Sequence, residues 1–323
     1  MTFSIVARDP ENGDLGVAVA SKFLAAGSVV SHARAGVGAI ATQALANVSY
    51  GPDGLMLLTE GLTAADAVER LTAADDGRDH RQLGIVDTAG RSATYTGKAC
   101  IDWAGGRTAQ GVAAQGNILV SPLVVGALME TYLASTLPFP ERLVAAMKAA
   151  DDQGGDRRGR QSAAIVVKRE KGGYGGHDDN WIDLRVDDDP APIDKLAYML
   201  ELVRLYRDRP RPEDLLPIDD QLATEMRALL SSAGYVPDRL SQGRSLAEVL
   251  AGADVERTGE PRETPPSWDA GWEAVMAEWM SIENLEERMT ARGWIDPRVL
   301  AFLRDTAAAT RRPDESERGA IVG

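Results

Sequence analysis

Thr2 stands directly behind Met1 and directly ahead of an alternating run, Phe3, Ile5 and Ala7. A hydroxyl in that place can do chemistry. Removal of an initiator Met favours a small second residue, and a Thr left at the N-terminus carries its own base. Its α-amine, with a reference pKa of about 7.7–8.0, can take the hydroxyl proton directly or through a water. Such a nucleophile has to be held in a sheet beside an oxyanion hole, which accounts for a strand that starts at residue 2. Small residues at position 2 also occur for no catalytic reason, so Thr2 alone does not decide.

Attack on a carbonyl needs donors for the oxyanion. Side-chain amides at glycine turns suit that role, because they donate without carrying charge. Asn117 in QGN and Gln43 at a strand end are the candidates, with Gln115 next. The same amides would equally satisfy turn backbone groups. Ser4 shares a strand face with Thr2 and is either a second hydroxyl of the site or an ordinary strand serine. The stretch GGDRRGRQSAA (154–164) packs three arginines and an Asp beside a glycine turn. Asp156 and Arg160 would present a guanidinium fork to a substrate carboxylate, with Ser162 opening the next strand. A structural ion pair across the turn explains the same residues. Lys22 or Arg34 near the nucleophile would depress the amine pKa or bind an anionic substrate, with surface solvation as the plain alternative.

Other chemistries find less support. Asp187, Asp188 and Asp189 are consecutive at a strand end, so they point in alternating directions and suit the capping of a turn better than a metal. GYGG (173–176) lacks the Lys-Ser/Thr of a phosphate loop and precedes a strand, which makes it a linker. One cysteine, Cys100, excludes an internal disulfide and any multi-cysteine zinc site, and His32, His80 and His177 have no metal-ligand spacing. No cofactor or metal is expected. The net charge is −14, from 49 acidic and 35 basic residues. Such a surface repels phosphate backbones and anionic lipid, so neither nucleic acid nor membrane is an expected partner. With no charged-then-apolar leader and no membrane-length apolar run, the expected compartment is cytoplasmic.

Strands are expected at 3–8 and 15–20 around the turn DPENGD, and at Gly36 to Gln43. Two helices follow, GPDGLMLLTEGL and TAADAVERLTAAD, the second opened by Thr63 with Asp66 three residues on. HRQLGIVDTAGRSATYTG reads as a hairpin turning at Ala89–Gly90, and VAAQGNI as a strand. Then come SPLVVGALMETYLAS, with Ser121 as N-cap and Pro122 at the first helical position, and PERLVAAMKAADD. Strands QSAAIVVKR and WIDLRVD precede a helix from Ile193 to Arg207. Strands and helices fall in blocks, which suits antiparallel sheets between helical layers. The expected divisions are 1–207, a proline-rich linker at 208–217, a helical unit at 218–310 and a tail at 311–323. Trp268, Trp272 and Trp279 recur at helical spacing, a pattern of packing more than of recognition.

The order over residues 1 to about 190 resembles the N-terminal-nucleophile (Ntn) hydrolases, in their proteasome-subunit-like branch. A closer resemblance is to the bacterial domain of unknown function 1028, placed in the same fold. It rests on SIVARDPENGDLGVAVAS, ARAGVGAIATQA, RQLGIVD, AAQGNIL, GGDRRGRQSAA and WIDLRVDD. ENLEERMTARGWIDPRVLAFLR, with DDQLATEMRALLSSAGY, is similar to a C-terminal segment of longer members labelled as peptidoglycan-binding. The resemblance implies an α+β, Ntn-hydrolase-like αββα four-layer sandwich with a smaller helical domain behind it. It also implies amide hydrolysis with Thr2 as nucleophile; the acidic surface, the arginine-rich turn and the C-terminal resemblance together point to a small amide or wall-derived peptide, and a homo-oligomer is expected. The chain departs from the proteasome-like pattern where Ser21 and Lys22 follow the second strand in place of an Asp, and no lysine opens the third. The second reading is a non-catalytic binding or assembly module that uses the Trp-rich C-terminal domain.

Overall fold

The structure is a computed structural model that describes residues 2–237 and 257–310; Met1 and the expected tail at 311–323 lie outside them. The chain divides into two compact units, Met1–Leu200 and Glu201–Gly323, at a point inside the helix Pro192–Arg207.

In the first unit the elements run β1 (Thr2–Arg8), β2 (Leu15–Ser21), α1 (Gly27–Val30), β3 (Ser31–Arg34), β4 (Gly38–Ala44), α2 (Tyr50–Thr59) and α3 (Ala64–Ala73). Next come β5 (Arg81–Asp87), β6 (Ser92–Thr96), β7 (Gly105–Ala109), β8 (Val112–Asn117), α4 (Leu123–Ala134), α5 (Phe139–Asp152), β9 (Ser162–Lys168) and β10 (Asn180–Val186). One sheet has the order β10-β9-β2-β1-β8-β7 and the other β3-β4-β5-β6. Every pairing is antiparallel. Helices α4 and α5 pack on the outer face of the first sheet, α2 and α3 on the outer face of the second, and β1 and β8 face β4 and β5 between them. The unit is a four-layer αββα sandwich, α+β in class, and the described part of the C-terminal unit is mainly helical.

Strand alternation decides what lies between the sheets. Successive side chains point to opposite faces, so residues two apart share one. Val6, Val17, Val19, Ala39, Ala41, Val86, Ala113 and Ala164 form a buried core of small side chains. Thr2 and Ser4 share Val6's face of β1, Gln43 that of Ala39 and Ala41, and Gln82 that of Val86. The intervening residues Ile40, Leu83 and Ile85 turn outward onto Tyr50, Leu57 and Leu71 of the helical layer. Small inner side chains let the sheets approach closely. Gly84 marks one such approach, since a Cβ there would lie 2.0 Å from Gln115 Oε1.

Most elements fall where the residues place them. In the first unit the expected strand at 36–43 begins two residues later, and two strands were not expected. Both β3 and β7 are short edge strands, and β7 begins with two glycines, so neither carries apolar alternation. Pro122, not Ser121, is the N-cap of α4, although Ser121 Oγ accepts the N–H of Leu123 at 3.3 Å. The Thr63–Asp66 arrangement at α3 is a reciprocal capping box. Thr63→Ala should therefore cost about 1 kcal/mol, read as a lower denaturant midpoint for the first unit. Asp189 Oδ1 accepts the N–H of Ala191, so this end of the acidic run caps a turn.

In the second unit, helices Asp220–Ser232, Ala270–Ile282 and Pro297–Thr310 surround one core. Trp268 and Trp279 are buried in it, and Trp272 stacks on Trp268 with ring centroids 6.4 Å apart. The tryptophan pattern is therefore packing. Arg288 is buried and donates to Asp296 and to the carbonyls of Leu205 and Arg204.

Candidate functional site

A cavity of about 770 Å³ opens where β1, β4 and β8 meet at one end of the sandwich. Thr2, Ser21, Gln43 and Asn117 line it together. The register explains the meeting. Thr2 opposes Asn117 across β1 and β8, and Phe3 opposes Ala20 across β1 and β2, which brings Ser21 to Thr2's other side. The Oγ atoms of Thr2 and Ser21 are 3.1 Å apart. Gln43 reaches down from the opposite sheet and donates to the carbonyl of Thr2 at 3.4 Å.

Behind the cavity lies a buried amide network. Gln82 Oε1 accepts from Gln43 Nε2 at 2.7 Å and from Asn117 Nδ2 at 2.9 Å. Gln82 Nε2 donates to the carbonyl of Gly116 at 2.7 Å and to Thr96 Oγ1 at 2.9 Å. Ser4 Oγ donates to Gln43 Oε1 and accepts from Gln115 Nε2, both at 2.7 Å. Ser4 and Gln115 are fully buried and are not on the cavity wall. The hub of the network is Gln82, which sequence reasoning missed. Its signal was a polar residue two positions before Gly84 and four before Val86, on the inner face of RQLGIVD.

The donor count separates the two oxyanion candidates. A side-chain amide nitrogen carries two N–H groups. Gln43 spends both, on Gln82 and on the carbonyl of Thr2. Asn117 gives one to Gln82, and its side chain lines the cavity. Of the two, Asn117 is the one with an N–H beyond those given to Gln82 and to the carbonyl of Thr2.

Backbone geometry marks the same place. Five described non-glycine residues have positive φ, and Ala44 (70°) and Ile118 (52°) directly follow Gln43 and Asn117. A third, Ala25 (52°), adjoins Ala26 on the cavity wall. Left-handed conformations are costly for residues with a Cβ and concentrate where a chain must present particular side chains.

Three expected placements change. Arg34 pairs with Gly38, at the other end of β4 from Gln43, five residues or about 17 Å away. The exposed Lys22 donates its ammonium to the carbonyl of Arg160 at 3.2 Å and is not on the cavity wall. The expected pair of Asp156 and Arg160 does not form. Arg160 Nε lies 2.9 Å from both carboxylate oxygens of Asp151, whereas Asp156 meets Arg158 at 3.4 Å and accepts the N–H of Lys22 at 2.8 Å. Arg158 is the arginine of that turn that lines the cavity. Ser162 is buried, donates to the carbonyl of Phe23 at 2.6 Å and accepts from Ala26, so it shapes the loop that bears Phe23.

Cys100, His80 and Arg81 complete the polar wall. Burial pushes the Cys100 thiol up, which keeps it protonated and a poor nucleophile near neutral pH. Burial likewise lowers His32, which is neutral and sits against α2, where a Cβ at Gly51 would meet its ring at 2.2 Å. Arg81 and hydrogen bonds from Tyr50 and Asn47 hold the Asp75 carboxyl well below the usual range. Among the described residues, no cluster of three or more His, Cys, Asp or Glu is placed to hold a metal ion. No helix among them is long and apolar enough to cross a membrane.

A family model described as "Family of unknown function (DUF1028)" matches residues 2–196, and one described as "Putative peptidoglycan binding domain" matches residues 259–303. Among solved structures, the crystal structure of protein SPO2555 from Silicibacter pomeroyi, itself described as DUF1028, is similar at 35% identity and a TM-score of 0.58. The match covers 63% of this chain and 89% of that one. No curated protein matches.

Proposed function

The chain belongs to the DUF1028 family, and from that premise we propose that its first unit is an amide hydrolase whose nucleophile is Thr2, freed as the N-terminal residue by removal of Met1. One observation carries the reading. Thr2 is held at the end of a central strand, on a cavity wall, with a hydroxyl on one side and an amide donor on the other.

The chemistry follows from those neighbours. The α-amine takes the Oγ proton as Oγ bonds to the substrate carbonyl carbon. The carbonyl oxygen gains negative charge and accepts from the second N–H of Asn117. The intermediate collapses, the C–N bond breaks, and the leaving nitrogen takes the proton from the α-ammonium. Water, deprotonated by the same amine, then cleaves the ester and releases the carboxylic acid and Thr2. Ser21 fixes the rotamer of the Thr2 hydroxyl.

The intact mass of protein from a host with active methionine aminopeptidase tests the premise of the mechanism. A chain that begins at Thr2 is expected; a chain that keeps Met1 has no amine base and contradicts it. The match at 259–303 favours a second reading, a binding module for wall-derived material. In that reading recognition would not use the Trp268–Trp279 face, which lies in the core of the second unit. Thr2→Ala would then change nothing.

A further inference from the structure

The wall of the cavity is unlike the rest of the molecule. The chain carries 49 acidic residues, yet among the described residues neither Asp nor Glu lines the cavity; Arg81, Arg158 and His80 do. Asp75 and Asp156 stand behind the two arginines as their partners. Both arginines are thus ion-paired, and what the wall offers an anion is guanidinium N–H donors with no described carboxylate on the wall itself to repel it.

The two arginines are not equivalent. Arg81 is the less exposed, at 23% of its side chain, with Nε on Asp75 at 2.9 Å and Nη1 on the carbonyl of Leu45. Arg158 meets Asp156 at a longer 3.4 Å and keeps 44% of its side chain exposed. Its loop is fastened beside Asn117: Asp156 bridges Leu119, and the N–H of Arg157 donates to the carbonyl of Ile118 at 3.4 Å. A guanidinium placed there can fork onto a carboxylate next to the oxyanion donor.

The rest of the wall is apolar. Phe23, Leu45 and Ile101 line the cavity while 52%, 65% and 60% exposed, and Ala26, Val29 and Val30 continue the surface. Large apolar side chains left exposed around a concave polar site mark where apolar ligand surface is covered. At about 770 Å³ the space is far larger than a short amide fills.

We propose that the site takes an amide with an apolar end and a carboxylate end, the chemical class of N-acyl amino acids, with the acyl chain against Phe23, Leu45 and Ile101 and the carboxylate on Arg158. The proposal rests on the hydrolase reading for its chemistry, but its recognition is measured without turnover. Calorimetry on the full chain carrying Thr2→Ala would compare N-octanoylglycine, octanamide and N-acetylglycine. N-octanoylglycine should bind at least about tenfold more tightly than either of the others, the scale of one charge-assisted contact or a few buried methylenes. Arg158→Ala should remove the advantage over octanamide and leave octanamide binding unchanged, while Arg158→Lys keeps part of it. Ile101→Asp should remove the advantage over N-acetylglycine. Equal affinities for the three probes, or no binding of N-octanoylglycine, would overturn the proposal. If this binding pattern holds and the unsubstituted protein cleaves none of the probes, the hydrolase reading fails and the recognition stands.

Discussion

Replacing Thr2 by alanine is expected to abolish amide hydrolysis, with a loss of at least about 10⁴-fold in kcat, the scale seen when a nucleophile is deleted. The substitution is specific. Alanine is also small, so removal of Met1 is expected in this variant too. Only the γ-oxygen and the γ-methyl go. The hydroxyl contact with Ser21 is lost, which costs about 1 kcal/mol of stability and leaves the sandwich folded. Thr2→Ser should keep measurable activity, since it restores the oxygen. Because the amine works deprotonated, kcat/KM should rise with pH through about the reference range of 7.7–8.0. Steady-state kinetics across pH, with unfolding curves for each variant, check all of this. Activity that survives Thr2→Ala would place the chemistry elsewhere.

Asn117→Ala is the second large effect, an expected fall of about 10²–10³ in kcat with KM little changed. That is the usual cost of one oxyanion donor, because the contact strengthens only as charge develops. Gln82 Oε1 keeps Gln43 as a donor in this variant, so the network loses one bond without leaving a buried acceptor empty. Asn117→Asp should be worse than alanine, since a carboxylate would face both the oxyanion and Gln82 Oε1. Gln43→Ala should act differently. It removes a group whose donors are already spent within the protein, so stability should fall more than kcat. A matched loss of kcat in the two variants would contradict the donor count.

Much of this architecture is legible in the residues. Alternation in TFSIVAR and LGVAVAS fixes both strands and their inner faces, and the order of blocks gives the layers. The site is legible in part. Thr2, Gln43 and Asn117 come together because each lies at or next to a strand end on the inner face, a property that period-two counting can reach. What it does not reach is pairing between distant segments. Whether Arg158 or Arg160 turns to the cavity depends on a glycine turn with φ of 104° at Gly159, which directs two nearby arginines to different carboxylates. Arg34 lies at the far end of its hairpin from the site, and Lys22 adjoins Ser21 but turns its ammonium to the carbonyl of Arg160. The hub Gln82 was hidden because a lone glutamine in a strand is ordinary until its five amide-network contacts are laid out in three dimensions.

The central claim is that Thr2 is the group that becomes acylated. Incubation of the full chain with an acylating β-lactone, followed by digestion and mass mapping, tests it most directly. The account predicts a single ester adduct on the N-terminal peptide, on a chain whose first residue is Thr2, and no adduct in Thr2→Ala. Label on Cys100, or an unlabelled N-terminal peptide that still begins with Met1, would contradict it.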